Sequence, residues 1–205
     1  MSPSEPTKPW KLEHRILFTL AVIGGIIFAQ MRTTFISPYL HFAWQAQSFL
    51  HGRLDLAPEL LNAVSTMDVT EHAGKFYWPL GPLPSILMLP FVAFVPASVL
   101  QIALETLLSL FIACAAYRLA RLALLSTLDG LWMTFAFLFS SVTIGIVLID
   151  GPWQIAHLAA MALFLAAILE WRGRNRPLLI GTLMGLAIAS RLTVAVCVIF
   201  FLLQI

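Results

Sequence analysis

Long apolar runs alternate with short polar stretches along the chain. The runs are Ile16–Gln30, Leu83–Phe94, Ser98–Tyr117, Leu131–Ile149, Ile155–Trp171, Leu178–Ala189 and Thr193–Leu203. A helix crosses a bilayer core with about 20 apolar residues, so the pattern predicts an all-α, polytopic transmembrane bundle of roughly five or six spans. We expect one membrane domain: a cytoplasmic tail (1–15), a first span (16–30), an outer loop (31–97) and further spans (98–205).

The run Leu83–Phe94 is predicted to dip into the membrane without crossing it. Its prolines and those beside it are Pro79, Pro82, Pro84, Pro90 and Pro96. Proline removes helical hydrogen bonds, and unpaired backbone is costly in lipid. With a cytoplasmic N-terminus and no crossing here, the arginines at 118–121 and 172–176 face the cytoplasm, as the positive-inside rule requires. Lys75 and Arg191 then face outside, in a multi-pass protein of the cytoplasmic membrane.

The outer loop carries several local signals. Apolar and aromatic residues recur at helical spacing over Pro38–Leu50, which predicts an amphipathic juxtamembrane helix lying on the membrane. Gly52 would cap the C-terminal end of this helix. A second short helix is predicted over Leu54–Asn62. Gly74 predicts a turn between two short extended pieces.

Composition supports the membrane class. Hydrophobic residues make up 60% of the chain and charged residues 11%, with a mean hydropathy of +0.91, which excludes a soluble domain. The net charge of +2 gives no reason to expect nucleic acid as a partner. Cys114 and Cys197 lie in apolar runs and fit small packing residues. The chain stops inside an apolar run at Ile205, so we expect it to be the N-terminal part of a longer protein.

Ionisable residues are concentrated in the outer loop. They are His41, His51, Arg53, Asp55, Glu59, Asp68, Glu71, His72 and Lys75. Their carboxylates could act as a general base or bind a divalent metal, and their cations could hold a phosphate. An ordinary solvated loop would have a similar composition, and the spacing matches no zinc or nucleotide-binding motif. The sequence therefore leaves the need for a metal open.

Three polar residues fall in or beside the predicted spans. Glu105 and His157 lie inside apolar runs, where an ionisable group serves either function or an interhelical hydrogen bond. Arg191 lies at a bend between two short runs, where it either snorkels or binds an anion. Gly181 and Gly185 form a GxxxG pattern, which predicts a close contact between helices.

The order of these features resembles the N-terminal half of the GT-C superfamily of membrane glycosyltransferases, in the branch of protein O-mannosyltransferases and aminoarabinose transferases. The resemblance rests on four strings: FLHGRLDL, GKFYWPLGPLPSILMLPF, YRLARL and GPWQIAHLAAMALFLAAILEWRGRNRPLLIGTLMGLAIASRL. It implies transfer of a hexose or pentose from a polyprenyl-phosphate donor to an acceptor hydroxyl at the outer membrane face. The family's basic residues hold the lipid phosphate, and its acids act as base or bind metal.

Site residues follow from this resemblance by position. Lys75, Tyr77 and Pro79–Pro84 match the family's basic, aromatic and proline string near the donor phosphate. Arg191 matches the basic residue that ends a glycine-containing span. Glu71, His72, Glu105 and His157 are further candidates.

The chain departs from the family at the first catalytic acid. No Asp or Glu lies between Met31 and His51, where the family usually supplies this residue. Either Asp68 or Asp55 takes the role of the base, or His41 does, or the protein departs from the family's catalysis; the sequence leaves this choice open.

A second hypothesis is that the chain is not an enzyme. A transporter or a non-catalytic membrane subunit would use Glu105 and His157 to line a path or a helix interface, and such residues are common in transporters. Against it, the polar residues are concentrated outside the predicted spans and no repeated half is visible.

Overall fold

The computed structural model describes residues 39–57, 68–123, 126–141 and 151–203, and this part is mostly helical. Its elements are α1 (His41–Leu50), β1 (Thr70–His72), β2 (Lys75–Tyr77), α2 (Leu83–Met88), α3 (Ala97–Leu122), α4 (Thr127–Phe139), α5 (Pro152–Arg172), α6 (Pro177–Ser190), a 3₁₀ helix (Leu192–Cys197) and α7 (Val198–Leu202). The predicted tail (1–15) and first span (16–30) lie outside the described residues.

Two helices of the described part of the chain have the length and apolar composition needed to cross a membrane. They are α3, with 26 residues, and α5, with 21 residues. At 1.5 Å per residue they are about 39 and 32 Å long, which matches the thickness of a bilayer core. The predicted helices at Ser98–Tyr117 and Ile155–Trp171 are thus confirmed as helices. The described helices α4 and α6 have only 13 and 14 residues, so the number of crossings stays a prediction.

Helices α3 and α5 run parallel to each other. Near their starts, Leu100 shares a hydrophobic cluster with Ile155. Further along both helices, Ile112 and Ala115 share a second cluster with Leu165. The C-terminal ends of the two helices therefore lie at the same end of the bundle.

Helix α6 returns antiparallel to α5 after a short turn. Glu170 and Arg176 close the turn with two parallel hydrogen bonds, from Arg176 Nε at 2.7 Å and from Nη2 at 2.8 Å. At the opposite end, the Ser190 hydroxyl donates to the Ala156 carbonyl at 3.1 Å. The bundle thus has an arginine end, defined by Arg118, Arg121, Arg172 and Arg174, and a far end where α5 begins and α6 finishes.

Helix α1 differs from the expected surface helix. Its first six residues, including His41 and Gln45, are all buried, and it packs against α2 and α3. The predicted helix is confirmed, but its first turns are covered by α2 and α3, and its position on the membrane stays a prediction. The predicted end is confirmed: Gly52 has φ +69°, the Gly52 amide donates to Phe49 O, and the Arg53 amide donates to Ser48 O. This is the Schellman pattern.

The predicted turn at Gly74 is confirmed as the end of a β-hairpin. β1 and β2 pair antiparallel, with His72 opposite Lys75. Ala73 and Gly74 both have positive φ, which is the backbone of a two-residue type I′ turn. Leu56 adds a bridge to Phe76, so the described start of the predicted Leu54–Asn62 helix is extended. The hairpin supplies a small strand element that the all-α prediction lacked.

The described structure gives the GxxxG pattern no close contact. A Cβ added at Gly181 or Gly185 would meet no atom of the described residues within 4 Å, so neither glycine lies at a close contact with a described helix. The close contact is at Gly81, where an added Cβ would lie 2.0 Å from the Ala189 carbonyl oxygen. The proline-rich loop therefore packs its backbone directly against the end of α6. The loop's helix α2 is six residues long, about 9 Å, which is too short to cross a bilayer.

A buried hydrogen bond joins α1 to α2, and its loss should destabilise the fold. The Ser85 hydroxyl donates to Gln45 Oε1 at 2.7 Å, and both side chains are buried. Ser85→Ala leaves the Gln45 oxygen without this donor, so we expect a loss of about 1–3 kcal/mol in thermal unfolding of the protein in detergent. Ser109→Ala is the control, because Ser109 only back-bonds to Glu105 O within α3. Equal stability of the two variants would contradict this prediction.

Candidate functional site

Three distant segments meet around one tryptophan at the far end of the bundle. The Trp153 indole N–H donates to Asp68 Oδ2 at 3.1 Å. The guanidinium carbon of Arg191 lies 5.3 Å from the centroid of the Trp153 ring. Arg191 Nη2 lies 2.8 Å from His157 Nε2. We name Asp68, Trp153, His157 and Arg191 the Trp153 cluster.

Helix geometry explains this grouping. Gly151 caps α5 and Pro152 occupies its first turn, where proline's missing N–H costs nothing. Trp153 and His157 are four residues apart and therefore lie on one face of α5. Arg191 follows α6 with an extended backbone, next to the Ser190 bond to α5. The start of α5 and the end of α6 thus fix His157 and Arg191 side by side.

Arg191 has the features of an anion-binding group. An arginine can only donate, so His157 Nε2 accepts and the His157 proton lies on Nδ1. Within the described chain, the buried Arg191 Nε has no hydrogen-bond partner, and no carboxylate forms an ion pair with Arg191. The guanidinium therefore keeps its charge and at least one donor for a ligand, and its planar fork suits phosphate.

Asp68 presents its carboxylate at the base of the hairpin. Its φ is +69°, a left-handed conformation that aspartate tolerates better than most residues. It is exposed, and its partner in the described structure is the neutral Trp153 indole. Because no cation neutralises it there, Asp68 is the described acid best placed to accept a proton.

His41 is fully buried. Its ring stacks on Trp78 with centroids 4.3 Å apart, and Trp78 in turn contacts Trp153 edge-on at 6.3 Å. An acceptor hydroxyl cannot reach a ring at that depth, so the expectation that His41 is the base does not fit this geometry. His41 instead extends an aromatic column that supports Trp153 from the core.

Asp55 is engaged by two cations. Arg53 donates to its Oδ2 at 2.7 Å, and the Lys75 amine lies 3.8 Å from its Oδ1. The hydrogen bond from Arg53, aided by the charges of Arg53 and Lys75, holds the pKa of Asp55 below its usual value of 3.8. A carboxylate stabilised in this way is a weak base, so Asp55 serves to anchor the hairpin.

The effect of Asp55 should depend on pH. Its folded pKa is depressed, so its contribution to stability is present above the unfolded pKa, near 3.8, and is lost as pH falls through the lower folded value. We expect Asp55→Asn to be less stable than the wild type at pH 7, and we expect this difference in unfolding free energy to shrink as pH falls below 3.8. Denaturant unfolding over a series of pH values measures this, and a difference that does not change with pH would contradict it.

The hairpin separates Lys75 from Arg191. Lys75 lies at the hairpin tip, whereas Asp68 and Trp78 lie at its base beside Trp153. Three residues of strand span about 10 Å, so Lys75 and Arg191 are not in contact. Both residues nevertheless belong to segments that meet at the far end of the bundle, and their location on one side of the membrane stays a prediction.

The other predicted residues are dispersed. Tyr77 is half-buried in β2, while Glu71 and His72 are exposed on the hairpin. Glu105 is buried in α3. Among the described residues, no three His, Cys, Asp or Glu side chains come together to hold a metal ion. The described residues thus do not supply a metal centre.

Sequence reasoning missed Trp153 and Trp78. Each lies in a segment whose local sequence pattern indicates only packing. The hydrogen-bond partner of Trp153, Asp68, is 85 residues away in the sequence. The available signal was the placement of Trp153 four residues before His157, on the same helical face.

No family model, no curated protein and no solved structure matches this chain. Its function is therefore inferred from the residues and geometry of the site.

Proposed function

We propose that the chain is part of a membrane glycosyltransferase that takes a sugar from a polyprenyl-phosphate donor. The observation that carries this proposal is the Trp153 cluster, where an arginine and an aspartate contact the same indole and neither has an ion-pair partner among the described residues. Group transfer from a phosphate needs such a pair: a cation for the leaving phosphate and a base for the incoming hydroxyl. The resemblance to the GT-C superfamily points to the same chemistry.

The membrane orientation is part of the proposal. The arginine end gathers Arg118, Arg121, Arg172 and Arg174, and the positive-inside rule assigns such an end to the cytoplasm. The Trp153 cluster then faces outside, about one bilayer thickness away along α5. A lipid-linked donor would reach it by lateral diffusion, which removes the need for a nucleotide-binding domain.

In the proposed reaction, Asp68 accepts the proton of the acceptor hydroxyl. The hydroxyl oxygen attacks the anomeric carbon of the donor sugar, and the bond from that carbon to the phosphate oxygen breaks. The electron pair leaves with the polyprenyl phosphate, whose added charge Arg191 stabilises. Attack opposite the leaving group inverts the anomeric centre. Lys75, at the tip of the hairpin, would contact the donor headgroup from the side opposite Arg191.

The experiment is sugar transfer in the full-length protein, reconstituted with polyprenyl-phosphate-linked sugars. We expect Asp68→Asn to reduce turnover by at least about 100-fold, the typical contribution of a general base, while donor binding persists. Asp129→Asn is the matched control: this exposed aspartate also accepts one side-chain hydrogen bond, from Ser126, but lies toward the arginine end. Wild-type turnover in Asp68→Asn would remove Asp68 as the base.

Solute transport by the same reconstituted protein tests the transporter hypothesis. Solute transport without any sugar transfer, abolished by Glu105→Gln and unaffected by Arg191→Gln, would contradict the glycosyltransferase proposal. Glu105 is buried within a candidate span and is the residue on which such transport would depend.

A further inference from the structure

We propose that Trp153 is a positioning residue that holds Asp68 and Arg191 apart, so that the carboxylate stays available as a base and the guanidinium stays available for the donor phosphate. This inference rests on the proposed function of the site. The resemblance to the GT-C superfamily gave Trp153 no role, and this proposal assigns one.

The geometry of the indole carries the argument. Trp153 contacts both charged groups at different places: its N–H edge binds Asp68 at 3.1 Å, and its face receives Arg191 at 5.3 Å. Opposite charges that contact the same indole attract each other. Without the indole between their binding positions, the two side chains could meet in a direct ion pair, which would neutralise the base and the phosphate-binding cation together.

Asp68 and Arg191 each have a neutral hydrogen-bond partner and do not form an ion pair with each other. The indole supplies Asp68 with a donor that carries no charge, and the unprotonated His157 nitrogen supplies Arg191 with an acceptor that carries no charge. Each group is held in place by hydrogen bonding or ring contact while keeping its charge. This explains why the charged groups of the Trp153 cluster do not pair with each other among the described contacts.

Packing alone does not account for Trp153. Its side chain is 39% exposed, which is unusual for a large ring whose only task is to fill a core. Trp78 fixes its orientation from the buried side, with ring planes at 75°. The buried side thus sets the angle of the indole, and the open side carries the two charged groups.

The test is equilibrium binding of farnesyl phosphate to the protein in nanodiscs. Trp153→Leu should weaken binding by about fivefold, the factor that corresponds to forming an exposed ion pair between Asp68 and Arg191. The double variant Trp153→Leu with Asp68→Asn should restore the wild-type affinity, because Arg191 then has no carboxylate to pair with. A role in packing alone predicts no such rescue.

Two further variants complete the design. Trp153→Phe keeps the ring and removes the N–H, so it should show a smaller loss that Asp68→Asn also reverses; it serves as the test if Trp153→Leu does not fold. Trp132→Leu is the matched control, since Trp132 is an exposed tryptophan on α4 whose ring contact among the described residues is edge-on with Phe135. It should bind like the wild type.

The outcomes separate the two proposals. Farnesyl phosphate binding that Arg191→Gln does not weaken overturns the donor site itself. Binding that depends on Arg191, but with no rescue by Asp68→Asn in either Trp153 variant, overturns the spacer role alone. Inorganic phosphate, measured in parallel, should bind more weakly than farnesyl phosphate; equal affinity would show that the site takes free phosphate.

Discussion

Arg191→Gln should weaken farnesyl phosphate binding by about 10- to 100-fold, because hydrogen bonds to charged groups contribute roughly 1.5–3 kcal/mol each. Glutamine keeps a polar group on a shorter side chain and removes the positive charge. The expected loss is large because Arg191 is partly buried, has a donor without a partner within the described residues, and faces no competing acid there. Equilibrium binding in nanodiscs measures the change.

Two comparisons sharpen the Arg191 prediction. Arg191→Lys should lose about tenfold, because lysine keeps the charge but not the planar fork or the flat contact with Trp153. Arg174→Gln removes an exposed arginine at the opposite end of the bundle and should leave binding unchanged. If Arg174→Gln weakens binding as much as Arg191→Gln does, the lipid responds to net charge and the far end is not the donor site.

Gly81→Ala should destabilise the protein by about 3 kcal/mol or more, the upper range for a group forced into filled space. The added Cβ would lie 2.0 Å from the Ala189 carbonyl oxygen and 2.8 Å from its carbon. Both atoms belong to the backbone, so no side-chain rotation can relieve the overlap. The loop must move away from the end of α6, which also displaces Ser190 and Arg191. Thermal unfolding and the farnesyl phosphate assay should both report the change.

The control for Gly81 lies in the neighbouring helix. Gly185→Ala adds the same methyl group where no atom of the described residues lies within 4 Å, and alanine favours a helix interior over glycine by roughly 0.5–1 kcal/mol. We therefore expect Gly185→Ala to be as stable as the wild type or slightly more stable. Equal melting temperatures for Gly81→Ala and the wild type would show that the loop is not in contact with α6.

Local signals in the sequence predicted local structure well. Gly52 and Gly74 both need positive φ, and a glycine after a helix or between two short strands indicates where such a backbone occurs. The helices α3 and α5 followed from unbroken apolar runs of sufficient length. These features depend on neighbours within a few residues, so the chain itself contains the information needed to place them.

Contacts between distant segments could not be predicted in this way. The GxxxG pattern suggested Gly181 and Gly185, yet the close approach occurs at Gly81, because which glycine meets a neighbour depends on how whole helices are placed. Helix α1 looked amphipathic but is buried, because α2 and α3 cover it. Asp68 could not be separated from Asp55 until the structure showed that one faces an indole and the other two cations.

The account depends most on the shared location of the hairpin and Arg191. Single cysteines at positions 75, 191 and 174, in a chain with Cys114 and Cys197 replaced by serine, can be labelled in intact cells with a membrane-impermeant maleimide. We expect Lys75→Cys and Arg191→Cys to react from outside, and Arg174→Cys to react only after the membrane is opened. Labelling of Lys75→Cys and Arg191→Cys from opposite sides of the membrane would contradict the proposed site.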